Sequence, residues 1–72
     1  MQVYATVTST RDGRFRPALE VQPGGKILSQ VKAMMFTASE RAAGAKAEAA
    51  ADRIMALPEG ERTKAASTEG YL

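Results

Sequence analysis

Residues 2–22 read QVYATVTSTRDGRFRPALEVQ, two alternating stretches on either side of Arg11-Asp12-Gly13. In the first, Val3, Ala5 and Val7 fall on one side and Tyr4, Thr6 and Thr8 on the other, and the β-branched content suits a half-buried strand over residues 2–9. In the second, Phe15, Pro17, Leu19 and Val21 oppose Arg14, Arg16, Ala18 and Glu20, a second strand over residues 14–22. Register decides the loop between them. A two-residue Asp-Gly turn would set Val3 against Gln22 and Ala5 against Glu20, apolar face on polar face. A three-residue loop with Gly13 left-handed instead pairs Thr10 with Arg14, Val7 with Pro17, Ala5 with Leu19 and Val3 with Val21, so the apolar faces coincide.

The same test on Pro23-Gly24-Gly25, used as a three-residue loop, sets Val21 opposite Ile27 and Pro17 opposite Val31. A third strand is then predicted over residues 26–36, with Ile27, Ser29, Val31, Ala33 and Met35 inward and Leu28, Gln30, Lys32, Met34 and Phe36 on the far side or at the strand end. Pro17 in the central strand has no N–H for a ladder bond, so a bulge or a break in pairing is expected there.

Thr37-Ala38-Ser39-Glu40 has the spacing of a capping box, in which the Thr37 hydroxyl accepts from the Glu40 N–H and the Glu40 carboxylate from the Thr37 N–H. A helix is predicted over residues 38–57, stopped by Pro58. Its inward stripe is Ala43, Ala47, Ala50, Ile54 and Leu57; Arg41, Gly44, Glu48 and Asp52 lie outward. Residues 59–72 are rich in Glu, Gly, Thr, Ser and Lys and read as a flexible tail. The predicted architecture is α+β: a three-stranded antiparallel β-meander packed on one C-terminal α-helix, a βββα two-layer sandwich forming one domain over residues 1–58.

The 72 residues include no His, Cys or Trp. Zinc ligands of the usual kind, a thiol nucleophile and a neutral-pH proton shuttle are therefore missing together, and no spacing groups the remaining Ser, Thr, Lys and carboxylates. The chain reads as non-catalytic, with no cofactor and no metal. A domain this small gains little net stability from one core, so economical packing, a partner or self-association through open strand edges, as in a homodimer, is expected. Apolar runs such as Ala33–Phe36 fall far short of the roughly 18 residues a membrane span needs, and the first residues lack a basic region followed by an apolar stretch. No membrane association and a cytoplasmic location are the resulting expectations.

Net charge is +2, but it is unevenly spread. Before Thr37 there are five cations (Arg11, Arg14, Arg16, Lys26, Lys32) against Asp12 and Glu20; from Thr37 onward five cations face six carboxylates. The preferred register puts Arg14, Arg16, Tyr4, Thr6, Thr8 and Lys32 on the sheet face away from the helix. Guanidinium and hydroxyl groups on a strand can contact phosphates, though charges there also serve simply to solvate a face and blunt its edges. Gly24-Gly25-Lys26 lacks the longer spacing of a P-loop and reads as a turn. Among apolar residues, Met34 points outward and is the one most expected at an interface.

The order strand, Asp-Gly-Arg turn, strand, strand, then Phe36-Thr37-x-x-Glu40-x-Ala42 resembles the N-terminal arm-binding domain of phage-type tyrosine recombinases over residues 3–57. That resemblance implies a sheet that contacts duplex DNA, through Arg14, Arg16 and Lys32 here. In size and build the chain is also similar to small phage-encoded accessory proteins, including anti-CRISPR inhibitors, which implies docking on a host protein or nucleoprotein complex. The expected function is a small binding protein acting as inhibitor or adaptor, with Arg11, Arg14, Arg16, Lys32, Tyr4 and Thr8 as contacts; direct DNA binding by the basic sheet face is the alternative.

Overall fold

A computed structural model describes residues 1–31 and 36–72 of the chain. Three strands, β1 (Gln2–Ser9), β2 (Phe15–Gln22) and β3 (Lys26–Ser29), form one antiparallel sheet in the order β1-β2-β3. Two helices follow, α1 (Glu40–Met55) and α2 (Arg62–Thr68), with a short 3₁₀ turn over Glu59–Glu61 between them. The class is α+β, and one face of the sheet lies under α1.

The first hairpin has the register the sequence dictates: Val3 faces Val21, Ala5 faces Leu19 and Val7 faces Pro17. Gly13 is left-handed at φ 82°, and Thr10 N donates to Arg14 O at 2.8 Å, closing the three-residue loop.

The second hairpin differs from expectation by one residue. Val21 pairs with Lys26, Glu20 with Ile27 and Leu19 with Leu28, closing a four-residue loop in which Gly24 and Gly25 both have positive φ and Gly25 N donates to Val21 O. The Gln22–Pro23 peptide is cis. The slip exchanges the faces of the third strand. Leu28 is 8% exposed and Ile27 46%, while Gln30, 7% exposed, turns inward and Val31, 67% exposed, turns out. Two adjacent apolar residues, Ile27 and Leu28, offer the core equivalent choices, and the glycine turn decides between them. The strand itself is shorter than the predicted 26–36; Lys32, Ala33, Met34 and Met35 lie outside the described residues.

Pro17 interrupts the third position of the sheet rather than β2. The Pro17 carbonyl accepts from Gln30 N at 3.1 Å, and the next backbone contact on that side of β2 among the described residues is an isolated bridge, Phe15 N to Thr37 O at 2.7 Å and Thr37 N to Phe15 O at 2.8 Å. Pro17 cannot return the bond from Gln30: toward β1 no donor is needed at this position, but on the β3 side its missing N–H leaves the pairing with Gln30 one-sided, and β3 ends at Ser29, the expected break in pairing. The Pro17 ring itself is fully buried.

That bridge also overturns the expected capping box. With its N–H already committed to Phe15, Thr37 has nothing to offer the Glu40 carboxylate. Ser39 is the N-cap, its hydroxyl accepting from Ala42 N at 3.1 Å, and the Thr37 hydroxyl accepts from Ser39 N at 2.9 Å. Along α1 the buried residues are Ala43, Ala47, Ala50, Ala51 and Ile54. Leu57 is only half-buried, past the helix end, and Gly44 faces the sheet rather than solvent: a Cβ there would lie 3.8 Å from Val7.

The predicted flexible tail is instead structured and completes the core. Ala66 and Tyr71 are 0% and 3% exposed and join Val3, Leu19, Leu28, Ala50, Ala51 and Ile54 in one cluster. α2 ends in a Schellman motif, with Gly70 at φ 90° donating to Ser67 O and Tyr71 N donating to Ala66 O. Arg62 ties this segment to the end of α1 and to β1, donating to Leu57 O at 3.2 Å and to Met1 O at 2.6 Å. Arg53 and Glu69 form a bidentate ion pair at 2.8 Å, and Gln30 Nε2 donates to Glu69 O at 2.9 Å. The compositional signal of a tail misleads because the segment buries little beyond two residues, and those two are the ones the core lacks.

Candidate interaction surface

The outer face of the sheet carries Tyr4, Thr6 and Thr8 from β1, Arg16, Ala18 and Glu20 from β2, and Ile27 and Ser29 from β3. Ala18 is completely buried, although it lies on the face turned away from α1. The Thr8 and Ser29 hydroxyls, on the two outer strands, lie 3.4 Å apart and close over its methyl group. A larger side chain at Ala18 would hold them apart.

At the hairpin end of this face the Thr37 bridge delivers Phe36 beside β2, directly across from Arg16. The Arg16 guanidinium carbon stands 4.4 Å from the centre of the Phe36 ring and that of Arg14 4.7 Å. Two cations thus share one aromatic ring, each within the range of a cation–π contact. Arg16 Nε is buried with no acceptor among the described residues, and the Phe36 ring face lies against its guanidinium. Arg14 is additionally held by Asp12, Nε to Oδ2 at 2.9 Å and Nη2 to Oδ2 at 2.8 Å. The Thr10 hydroxyl, which donates to the same carboxylate, and the Arg14 guanidinium keep the Asp12 pKa below the usual carboxylate range.

Farther along the face the surface becomes apolar. Tyr4, 50% exposed, and Ile27 flank Glu20 from opposite strands, and the Tyr4 hydroxyl donates to Gln2 Oε1 at 2.9 Å. Of the six expected contact residues, Tyr4, Thr8 and Arg16 share this face. Arg14 joins Arg16 at the ring, Arg11 is exposed at the hairpin tip, and Lys32 lies outside the described residues. Phe36, Ile27 and Val31 were not among them. Phe36 was legible as an outward residue, but its place between two arginines depends on a bridge that periodicity does not reveal; the other two depend on the one-residue slip.

Among the described residues no group of three or more acidic, His or Cys side chains is placed to hold a metal ion, and no helix is long and apolar enough to cross a membrane. Compared with known protein families, with curated proteins and with solved structures, the chain matches none of them.

Proposed function

We propose that the chain is a small non-catalytic binding protein that docks on a protein or nucleoprotein complex through the outer face of its sheet, as an inhibitor or adaptor. The observation that supports it is the Arg14–Phe36–Arg16 stack beside exposed Ile27, Val31 and Tyr4. Arginine and aromatic side chains are the residues that dominate protein interfaces, and guanidinium groups already ordered on a ring lose less freedom on binding. The partner surface that fits is acidic opposite the arginines and apolar opposite Ile27 and Val31.

The same cations serve duplex DNA less well. Asp12 offsets one of the three hairpin arginines and Glu20 sits in the middle of the face, so few phosphates would be neutralised. The deciding experiment is affinity capture from host lysate with wild type and Arg16→Glu in parallel, alongside titration with duplex DNA at low salt. A stoichiometric partner recovered by wild type and lost with Arg16→Glu, with flat DNA titrations, supports docking. Salt-sensitive DNA binding weakened by R14A/R16A would replace it with the DNA reading.

A further inference from the structure

Among the described residues, the free edge of β1 is bare along most of its length. Thr10 N bonds to Arg14 O, so the even-numbered residues of β1 bond to β2, and alternation turns the N–H and C=O groups of Val3, Ala5, Val7 and Ser9 away from it. Val3 N points that way and donates to Met55 Sδ at 3.4 Å. From Gln2 to Ser9 there is no charge and no proline, the devices that normally close an edge to other strands. Alongside this edge runs a groove of about 530 Å³ lined by Val3, Tyr4, Ala5, Glu48, Asp52 and Met55. Glu48 and Asp52, one turn apart on α1, set two carboxylates on its rim, and neither is in an ion pair among the described residues.

We propose that the partner for this edge is a second copy of the chain, whose β1 adds antiparallel to make one six-stranded sheet. With the two Val7 residues opposed on the symmetry axis, Ala5 faces Ser9 of the other copy and Val3 faces the position of Arg11, all of them odd-numbered and so in phase with the free edge groups. The register puts the exposed Arg11 of each hairpin tip beside the Glu48–Asp52 rim of its partner, twice by symmetry. The two acidic rims stand about 20 Å apart and do not repel, since each lies some three residues from the axis at roughly 3.4 Å per residue. Gly44 sits over Val7, so each α1 lies close to its own β1 at the symmetry axis. The arrangement leaves both Arg14–Phe36–Arg16 stacks on one continuous face. It is independent of what that face binds.

Sedimentation velocity over a concentration series tests it. Wild type is expected to move from the 7.7 kDa chain mass to twice that value. Arg11→Glu alone, and Glu48→Lys with Asp52→Lys, each shift association to at least tenfold higher concentration, and the combined charge swap R11E/E48K/D52K restores it. Amide exchange at Ala5 and Val7 slows as the wild-type dimer forms. A chain that stays at monomer mass up to millimolar concentration overturns the proposal, as does a dimer that is indifferent to R11E or is not restored by the swap.

Discussion

Leu28 stands directly opposite Leu19 in the sheet, and its neighbour Ile27 stands opposite Glu20 on the other face. Both leucines belong to the buried cluster while Ile27 faces outward. Truncation separates the two faces. Leu28→Ala is expected to lower unfolding free energy by about 2–3 kcal/mol and Ile27→Ala by less than about 1 kcal/mol. Urea unfolding followed by circular dichroism measures both, and a larger loss at Ile27 than at Leu28 would mean the sheet has the other register.

Tyr71 closes the core from the far end of the sequence. Tyr71→Ala is expected to cost about 3–4 kcal/mol, a large share of the roughly 5 kcal/mol that a domain of this size holds in total, so thermal melting should show a broad transition at much lower temperature. Tyr71→Phe keeps the ring and should melt close to wild type.

Burial also raises the pKa of the Tyr71 hydroxyl above its ordinary 10.0, because the folded state favours the neutral phenol. The folded state therefore holds this proton more tightly than the unfolded chain does. Its contribution is intact below pH 10 and is lost as pH climbs through the raised folded value. Unfolding midpoints measured from neutral to strongly alkaline pH should fall in wild type and stay flatter in Tyr71→Phe.

The first turn of α1 depends on Ser39, not on a capping box. Ser39→Ala is expected to cost about 1 kcal/mol, whereas Glu40→Ala should change stability by no more than a few tenths. A larger loss at Glu40 than at Ser39, by chemical denaturation, would restore the capping box.

On the outer face, Phe36→Ala frees both guanidinium groups, each held by a contact of about 1 kcal/mol. Partner capture should weaken several-fold with little change in melting temperature. Arg16→Lys should not rescue binding, since an ammonium cannot stack flat on the ring. Full binding by Arg16→Lys, measured by calorimetry, would make the stack irrelevant.

Most of the sheet and α1 was readable because their burial is periodic. Val3, Ala5 and Val7 admit only one pairing with Pro17, Leu19 and Val21, so one glycine and one alternation suffice. The third strand was ambiguous for the converse reason: Ile27 and Leu28 are adjacent, and either satisfies the core. The segment after Pro58 was misread because only Ala66 and Tyr71 of its side chains enter the buried cluster, and its polar ties through Arg62 and Glu69 leave no periodic pattern. Its one local signal is Gly70-Tyr71, a left-handed residue followed by a large apolar one, which is how a Schellman ending looks in sequence. The interaction surface was legible as arginines on an outward face. The ring that organises them was not, since Phe36 reaches Arg16 only through the bridge between Phe15 and Thr37.

One cluster joins Val3 to Tyr71. A ribosome delivers the sheet and α1 long before it delivers Ala66 and Tyr71, and those two must clear the exit tunnel before the apolar seam under Ile54 is sealed. A chain that carries only the sheet and α1 therefore has its core open along that seam, and the fold closes as a unit once the residues after Pro58 are present.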